Sequence, residues 1–316
     1  MNSRVFELAR LLKDSRHRIA TFSVVAGFDG FVDEMISVVA ERRGVEQWIA
    51  LGSMAELGKI VSAAAGHNSL REIVVRSQDA GGCAVNLSDG LTALGVQLDY
   101  FGTLGQPRHP SFDAFALTCR SCTPWSKAYG RTLAFEFQDG KFMFSAVAQL
   151  SEFDAALVRS ELARGDYQRA CASASLIAIT NWTLYPHMTA CWRLLAAEVF
   201  AKLAPRRRLF LDLVDPSSRA EGDVRDMLVA MGEFQRVCDV TLGINVNEAG
   251  VLSRILNLLM LEPSPDGLTR CAEALRVTLG IDQVVIHSAR INAVASAAGP
   301  RSRDWPPKRP TCFIKS

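Results

Sequence analysis

The second half of this chain alternates between short apolar runs and stretches of helical periodicity, and that alternation restricts the fold more than any other feature. Strands separated by helices are typical of an α/β domain whose sheet is mainly parallel and covered by helices on both faces. Short apolar runs of this kind predict buried strands. The predicted strands are 176–180, 209–214, 240–244 and 284–288, and the predicted helices are 187–203, 222–237, 247–260 and 267–279.

The first half of the chain extends the same pattern. Residues 20–26 form an apolar run that predicts a buried first strand, and 97–102 predicts another. Gly81-Gly82 precedes a helix whose leucines recur at helical spacing, and Gly95 follows as its cap. The same sheet is therefore expected to continue into this half.

Two segments predict additions to this sheet. Aromatic-rich runs near 130–146 flank Asp139-Gly140, a pair typical of a β-hairpin turn. A hairpin among alternating strands and helices suggests a small β lid. Helical periodicity near 40–70 suggests a helical insertion. We therefore expect the whole chain to form a single α/β domain with these two additions.

Composition and charge exclude two classes of partner. The 316 residues are 49% hydrophobic and 22% charged, as in soluble globular proteins. Lys and Arg total 35 against 33 Asp and Glu, whereas a nucleic-acid surface needs a dense basic stripe. No apolar run reaches the roughly 18 residues that span a membrane. We expect a cytoplasmic protein with neither a nucleic-acid nor a membrane partner.

The eight cysteines lack the rhythm of a disulfide framework, which is typical of a reducing compartment. Cys119 and Cys122 form the one C-x-x-C pair of the sequence. A structural zinc site would need a second ligand pair at suitable spacing, and the sequence has none. We interpret this pair as two unrelated cysteines.

The segment Gly81-Gly82-Cys83-Ala84-Val85-Asn86 stands at a predicted strand-to-helix turn. Paired glycines let a backbone approach a ligand closely, and the start of a helix offers free N–H groups. The Asn86 amide can donate to and accept from sugar hydroxyls at once. A tight turn with an incidental asparagine would give the same pattern, so this motif alone leaves both interpretations open.

Two carboxylates follow the first strand. Asp29 and Asp33 come directly after it, and the carboxyl ends of parallel strands are where open α/β sheets bind ligands. A pair of carboxylates can hold vicinal hydroxyls through charge-assisted hydrogen bonds. For Asp33 alone, capping of a following helix is an equally good interpretation.

A polar segment ends the strand at 240–244. Asn245 and Glu248 form an N-x-x-E pattern at a helix start, where an amide and a carboxylate can hold the water shell of a Mg²⁺ that travels with ATP. Asp215 and Arg219 add an acid and a guanidinium at the end of the preceding strand. Helix capping, with Asn247 as the N-cap, is the alternative.

In this order the motifs resemble those of the ribokinase-like (PfkB-type) carbohydrate kinases: a G-x-D-G first strand, a G-G-x-x-x-N helix, a flap hairpin, D-P-x-x-R and N-x-x-E. The resemblance covers nearly the whole chain. It implies a ribokinase-like fold and phosphorylation of a sugar or sugar-like alcohol, with ATP as cosubstrate and Mg²⁺. It also implies that the sugar site consists of Asp29, Asp33, Gly81, Gly82 and Asn86, that Asn245 and Glu248 organise Mg²⁺ through water, and that Asp215 and Arg219 lie beside the nucleotide.

The sequence departs from that family in one respect. Members carry a G-A-G-D-like motif whose aspartate is the catalytic base, and no such motif occurs in the 316 residues. Residues 310–316 look like the lead-in to it. We therefore expect the base to lie beyond Ser316, and this chain to be inactive or nearly so as a kinase.

Three functions remain to be compared. ATP-dependent phosphorylation of a sugar is favoured, and a catalytically inactive sugar-binding or regulatory protein of the same fold is the alternative. A Rossmann oxidoreductase is disfavoured because G-x-G-x-x-G is absent. The identity of the sugar stays open. An apolar lid hairpin with an exposed edge is also expected to permit a homodimer through the lid.

Overall fold

The computed structural model describes residues 3–258, 262, 264–297 and 301–304. Its strands and helices alternate along the chain, as the sequence predicts. The strands are β1 Ser23–Gly27, β2 Phe31–Arg42, β3 Trp48–Ala50, β4 Ile73–Gly81, β5 Gln97–Gly102, β6 Ser121–Pro124, β7 Gly130–Phe137, β8 Gly140–Ala146, β9 Leu176–Ile179, β10 Arg207–Asp212, β11 Cys238–Asn245, β12 Gln283–His287, β13 Ile291–Ser296 and β14 Arg301–Asp304.

The helices connect these strands. They are α1 Ser3–Asp14, α2 Arg16–Ile19, α3 Met54–Ala63, α4 Cys83–Ala93, α5 Asp113–Thr118, α6 Ala155–Leu162, α7 Asp166–Ser173, α8 Met188–Glu198, α9 Glu221–Val237, α10 Val246–Ile255 and α11 Pro265–Leu279. Every helix and strand predicted from residue 176 onward is confirmed, with ends that differ by a few residues. The expected lead-in at 310–316 lies outside the described residues.

A large sheet forms the body of the fold, in the order β14-β13-β12-β11-β10-β9-β1-β5-β6. Its strands are parallel from β6 to β12, and β13 and β14 continue it in antiparallel fashion. Alternate residues of a strand face opposite sides of a sheet. Accordingly, Val25 belongs to one buried apolar cluster whereas Val24 and Ala26 belong to another. The predicted mainly parallel sheet, buried on both faces, is confirmed.

A second sheet forms the small β unit. β7 and β8 are the predicted hairpin, but β2 pairs with β7 in parallel, and β3 and β4 pair with β2. The hairpin is therefore one part of a five-stranded sheet rather than an isolated flap. We refer to this sheet, β2–β4 with β7 and β8, as the lid sheet.

The helical insertion expected near 40–70 needs correction, because only part of it is helical. β2 runs to Arg42 and β3 pairs with it, so the first part of the segment is β structure. The helix α3 follows, and a capping box between Ser53 and Glu56 fixes its start. Its apolar face packs on the lid sheet against a small buried cluster around Val38 and Phe137.

In the described part of the chain, no helix is both long and apolar enough to cross a bilayer.

Candidate sugar and phosphate site

Polar groups that follow four strands meet those at the start of a helix at one edge of the large sheet. The strands β1, β9, β10 and β11 are parallel neighbours, so their carboxyl ends lie on the same side. The amino-terminal end of α4 reaches this edge through hydrogen bonds to Asp29. In α/β sheets this is the side on which ligands bind.

Asp29 holds this edge together. Its carboxylate is fully buried and accepts hydrogen bonds from the backbone N–H groups of Cys83 and Ala84, at 2.6 and 2.9 Å. The Thr180 hydroxyl and the Asn181 amide also donate to it, at 2.6 and 3.0 Å. A carboxylate has about four acceptor sites, and four protein donors fill them. The predicted sugar contact of Asp29 does not fit this geometry, since no acceptor is left for a ligand.

Gly82 is needed for the approach of α4 to Asp29. It has a left-handed backbone (φ 101°), which favours glycine. A Cβ atom there would lie 2.9 Å from both the backbone oxygen and a carboxylate oxygen of Asp29. At Gly81, a Cβ atom would overlap the Asp33 carboxylate. The two glycines therefore bring two different carboxylates against the start of α4.

Asp33 lies on β2 of the lid sheet, not at the start of a helix, so it caps nothing. It is partly buried, and Thr132 of β7 is its register partner. Burial raises the pKa of Asp33, the nearby charges of Asp79 and Asp29 raise it further, and the contacts with Thr132 and Lys141 oppose the rise. Asp33 thus has acceptor capacity that Asp29 lacks.

Asn86 is exposed on the first turns of α4. Residues three apart on a helix share a face, so Asn86 lies on the same side as Cys83. Burial raises the pKa of the Cys83 thiol, and so do the negative charges of Asp29, Asp212 and Glu248. Asp29, Asp212 and Glu248 are therefore near enough to the start of α4 for their charges to act on the Cys83 thiol.

Asn245 and Glu248 form a capping box at the start of α10. The Asn245 side chain accepts from the Glu248 N–H at 3.0 Å, while its own N–H and amide donate to the Glu248 carboxylate at 2.9 and 2.7 Å. The N-cap is Asn245, so the alternative with Asn247 as N-cap is wrong. Burial and the charges of Asp212 and Asp215 raise the pKa of Glu248 to about 7, against the hydrogen bond from Asn245.

Asp212 is a site residue that the sequence analysis did not single out. It ends β10, its carboxylate accepts from the Val214 N–H at 3.1 Å, and burial raises its pKa. The sequence signal that could have identified Asp212 is an acidic residue at the end of a predicted buried strand. Asp215 instead accepts from the Ser217 N–H and the Asn247 amide on the exposed rim.

The Arg219 guanidinium already interacts with groups of the protein itself. Its guanidinium lies 4.4 Å from the ring centre of Trp182 and donates to the backbone oxygens of Thr183 and Tyr185. It also pairs with Asp223 of the next helix. These contacts hold the loop after β9 against the loop after β10, which gives Arg219 a structural role whether or not a nucleotide binds.

Comparison with known proteins identifies the family. The family model for prokaryotic ketohexokinase matches residues 7–313. The chain belongs to the prokaryotic ketohexokinase family. The predicted resemblance to ribokinase-like carbohydrate kinases is therefore confirmed at the level of the family. A curated relative, the ketohexokinase of Haloferax volcanii, is 24% identical over 280 residues, which cover 87% of this chain and 72% of the relative.

Solved structures agree with the ribokinase-like fold of this family. A ribokinase from Thermotoga maritima matches with a TM-score of 0.54 and 12% identity, over 91% of this chain and 78% of that one. An Escherichia coli protein solved in complex with ATP and Mg²⁺ matches with a TM-score of 0.54 and 14% identity, over 91% and 79% of the two chains. At these identities the likeness shows the fold.

The magnesium expected in such a kinase is compatible with the oxygen atoms at this edge. Among the residues that the structure describes, no three His, Cys, Asp or Glu side chains converge to hold a metal directly. Mg²⁺ usually keeps several waters and is bound by one or two carboxylates together with phosphates. Asp212 and Glu248 supply carboxylate oxygens of this kind, so a hydrated ion fits better than a protein cage.

Proposed function

We propose that this chain binds a sugar between the lid sheet and the start of α4 and supplies the sugar and phosphate contacts for its phosphorylation by ATP, and that a ketohexose is the substrate. The observation that carries the proposal is the position of the α4 start. Just before α4, the Asp33 carboxylate of the lid sheet occupies the space that a Cβ atom on Gly81 would need, and the N–H groups of Cys83 and Ala84 bind the α4 start to Asp29 after β1. Family membership supports phosphorylation of a sugar.

The sugar side consists of Asp33, Gly82 and Asn86. The Asp33 carboxylate accepts from a hydroxyl, and the Asn86 amide donates and accepts beside it. Asp29 does not contact the sugar in this proposal, because it binds the α4 start to the loop after β9 and its oxygens already accept four hydrogen bonds. In this proposal it is a positioning residue rather than a sugar ligand.

The phosphate side consists of Asp212, Asn245 and Glu248. Mg²⁺ would neutralise phosphate charge when it accompanies ATP. The Asn245 contacts orient the Glu248 carboxylate, which would accept from a water of the hydrated ion. Phosphoryl transfer depends mostly on positioning and charge stabilisation, and these are the contributions that the described residues can make.

The experiment uses the full chain with Mg·ATP and a panel of ketohexoses, aldohexoses and nucleosides. Formation of ADP and of a sugar phosphate reports turnover, and calorimetry reports binding. We expect a ketohexose to give the strongest response and Asp33→Asn to weaken it. Binding of a sugar without phosphate transfer would favour the alternative of a sugar-binding protein of the same fold. No binding by any compound of the panel would reject the sugar site.

We further propose that a second copy of the chain covers the exposed edge of the lid sheet. Within the described residues β8 pairs with β7 alone, which leaves its outer edge open. Phe142 is 47% and Phe144 54% exposed on that strand. Exposed apolar edge strands are ready partners for another strand, and a matching edge of a second lid is a self-complementary surface.

A further inference from the structure

Asn181 lies between the sugar side and the phosphate side of the candidate site. It is the second residue after β9, it is 2% exposed, and it has a left-handed backbone (φ 62°). Asparagine tolerates this conformation better than most residues, because its short side chain can form hydrogen bonds locally. Here the side-chain oxygen accepts from the Leu184 N–H at 3.2 Å. That contact closes the loop after β9.

The other polar groups of Asn181 bind to both neighbours of β9, which lies between β1 and β10 in the large sheet. The side-chain NH₂ group donates to the Asp29 carboxylate after β1 at 3.0 Å. The backbone N–H donates to the Asp212 carbonyl at the end of β10 at 2.9 Å. One buried residue therefore contacts the chain on each side of its own strand.

The contact with Asp29 leads to the start of α4. The Cys83 N–H and the Asn181 side chain donate to the same oxygen of the Asp29 carboxylate, Oδ2. The position of this oxygen thus depends on both donors. The α4 start that it holds carries Gly82 and Asn86, which belong to the sugar side.

The contact with β10 leads to the phosphate side. Val214 has a left-handed backbone (φ 61°), which β-branched residues rarely adopt and keep only where surrounding contacts hold it. The Thr183 hydroxyl, in the same loop as Asn181, donates to the Val214 carbonyl at 2.9 Å. The Val214 N–H in turn donates to the Asp212 carboxylate at 3.1 Å. The orientation of Asp212 therefore depends on the loop that Asn181 closes.

We propose that Asn181 is a positioning residue that joins the sugar side and the phosphate side of the site. The inference rests on the proposed function, in which Asn181 contacts neither ligand. Removal of its side chain takes a donor from Asp29 and frees the loop that carries Thr183, so both sides lose their alignment. A residue that only closed its own loop would need the contact with Leu184 and no donor to Asp29.

The experiment measures two dissociation constants by calorimetry on the folded full chain. One is for a ketohexose, the tightest binder among D-fructose, D-psicose, D-sorbose and D-tagatose, and the other is for Mg²⁺ with the non-hydrolysable ATP analogue AMP-PNP. Asn181→Gly removes the side chain and keeps the backbone, since glycine adopts the left-handed conformation freely. We expect both constants to rise by about 3–10-fold, as for the loss of one hydrogen bond. Asn181→Asp, which replaces the donor with an acceptor beside Asp29, should raise both at least as much.

Four control variants separate positioning from other effects. Asn257→Gly is the matched control, because Asn257 is also left-handed (φ 54°) but is exposed after α10, and it should leave both constants unchanged. Asn86→Ala should weaken only the sugar, and Glu248→Gln only the nucleotide. Leu275→Ala removes buried apolar atoms from α11 and should lower stability without changing either constant.

Hydrogen exchange tests the same inference without a ligand. The backbone amides of 83–86 and 212–215 should exchange faster in Asn181→Gly than in the wild type, and at the wild-type rate in Asn257→Gly. Wild-type dissociation constants in Asn181→Gly, weakening of one ligand alone, or an equal effect of Leu275→Ala would overturn the inference. If the wild type binds no ketohexose or no nucleotide, the proposed function fails on that side, and unchanged exchange in both segments would then reject the role of Asn181 by itself.

Discussion

The Asp33 carboxylate fills the space that a Cβ atom on Gly81 would need. The two residues come from the antiparallel pair β2 and β4, where Phe31 is the register partner of Gly81. The first glycine of the Gly81-Gly82 motif thus makes room for a side chain of the lid sheet. A glycine is therefore required at position 81 by the protein's own packing, which fixes the position of the Asp33 carboxylate.

Gly81→Ala should therefore weaken sugar binding by displacing Asp33. We expect a rise in KM for the sugar of about tenfold or more, equivalent to roughly 1–2 kcal/mol for a displaced hydrogen bond. Gly90→Ala is the matched control, because a Cβ atom at this exposed position of α4 meets nothing within 4 Å. Equal KM values in the two variants would contradict the contact between Gly81 and Asp33.

Asp29→Asn should lower stability more than it changes the chemistry of sugar recognition. In this variant the side-chain NH₂ group would face N–H and O–H groups that now donate to the carboxylate. Some of these donors would lose their acceptor, and each buried unsatisfied group costs about 1–3 kcal/mol. We expect a loss of about 2–4 kcal/mol in the free energy of unfolding by urea, with Asp89→Asn on the exposed part of α4 as the control. Unchanged stability with abolished sugar binding would instead make Asp29 a ligand.

The sequence predicted the large sheet well because its strands and helices are local patterns. β2 was missed as a strand because it carries Asp33 and Glu34 and because its partner β7 is distant: the Arg131 side chain that binds Glu34 is 97 residues away. No local pattern records such a pairing. The sequence therefore predicts a helical insertion from about residue 40, where the structure has the end of β2 and then β3.

The same limit applies to the two acids after β1. Asp29 and Asp33 are interchangeable candidates in the sequence. The distinction depends on the Thr180 hydroxyl, which is 151 residues from Asp29 in the chain and occupies one of its oxygens. The motifs therefore predicted which loops lie at this edge of the sheet, whereas the contacts of single residues depend on the tertiary structure.

Asn86→Ala should weaken binding of the sugar by about 1–3 kcal/mol, because the sugar hydroxyls that it pairs would lose a partner on burial. Asn86 is exposed without ligand, so little change in stability is expected. Calorimetry with the sugar found in the panel measures the effect, and Thr92→Ala further along α4 is the control. Wild-type affinity in Asn86→Ala would mean that the sugar does not bind at this face of α4.

Glu248 should make stability fall as pH rises. Its pKa is raised to about 7 from 4.5, so the folded chain holds a proton that the unfolded chain has lost between these values. Stability decreases with pH wherever the folded state binds more protons. The decrease begins near pH 4.5 and is complete above about pH 7, with a total of roughly 3 kcal/mol.

Glu248→Gln should remove this part of the pH dependence. Urea unfolding between pH 5 and 8, with a chelator present so that no metal contributes, compares the variant with the wild type. The unfolding free energy of the variant relative to that of the wild type should increase as pH rises. Parallel curves would mean that Glu248 titrates as an ordinary carboxyl and that its burial has little effect.

The exposed edge of β8 should control self-association. If a second copy covers it, Phe144→Asp places a charge in the apolar contact and should weaken the dimer by about tenfold or more, since an unpaired charge at a buried contact is strongly unfavourable. Sedimentation velocity over a range of concentrations measures this shift. Val229→Asp, which changes an exposed apolar residue of α9, is the control and should leave association unchanged. A wild-type chain that stays monomeric at high concentration would reject the lid dimer, and equal effects of the two variants would place the contact elsewhere.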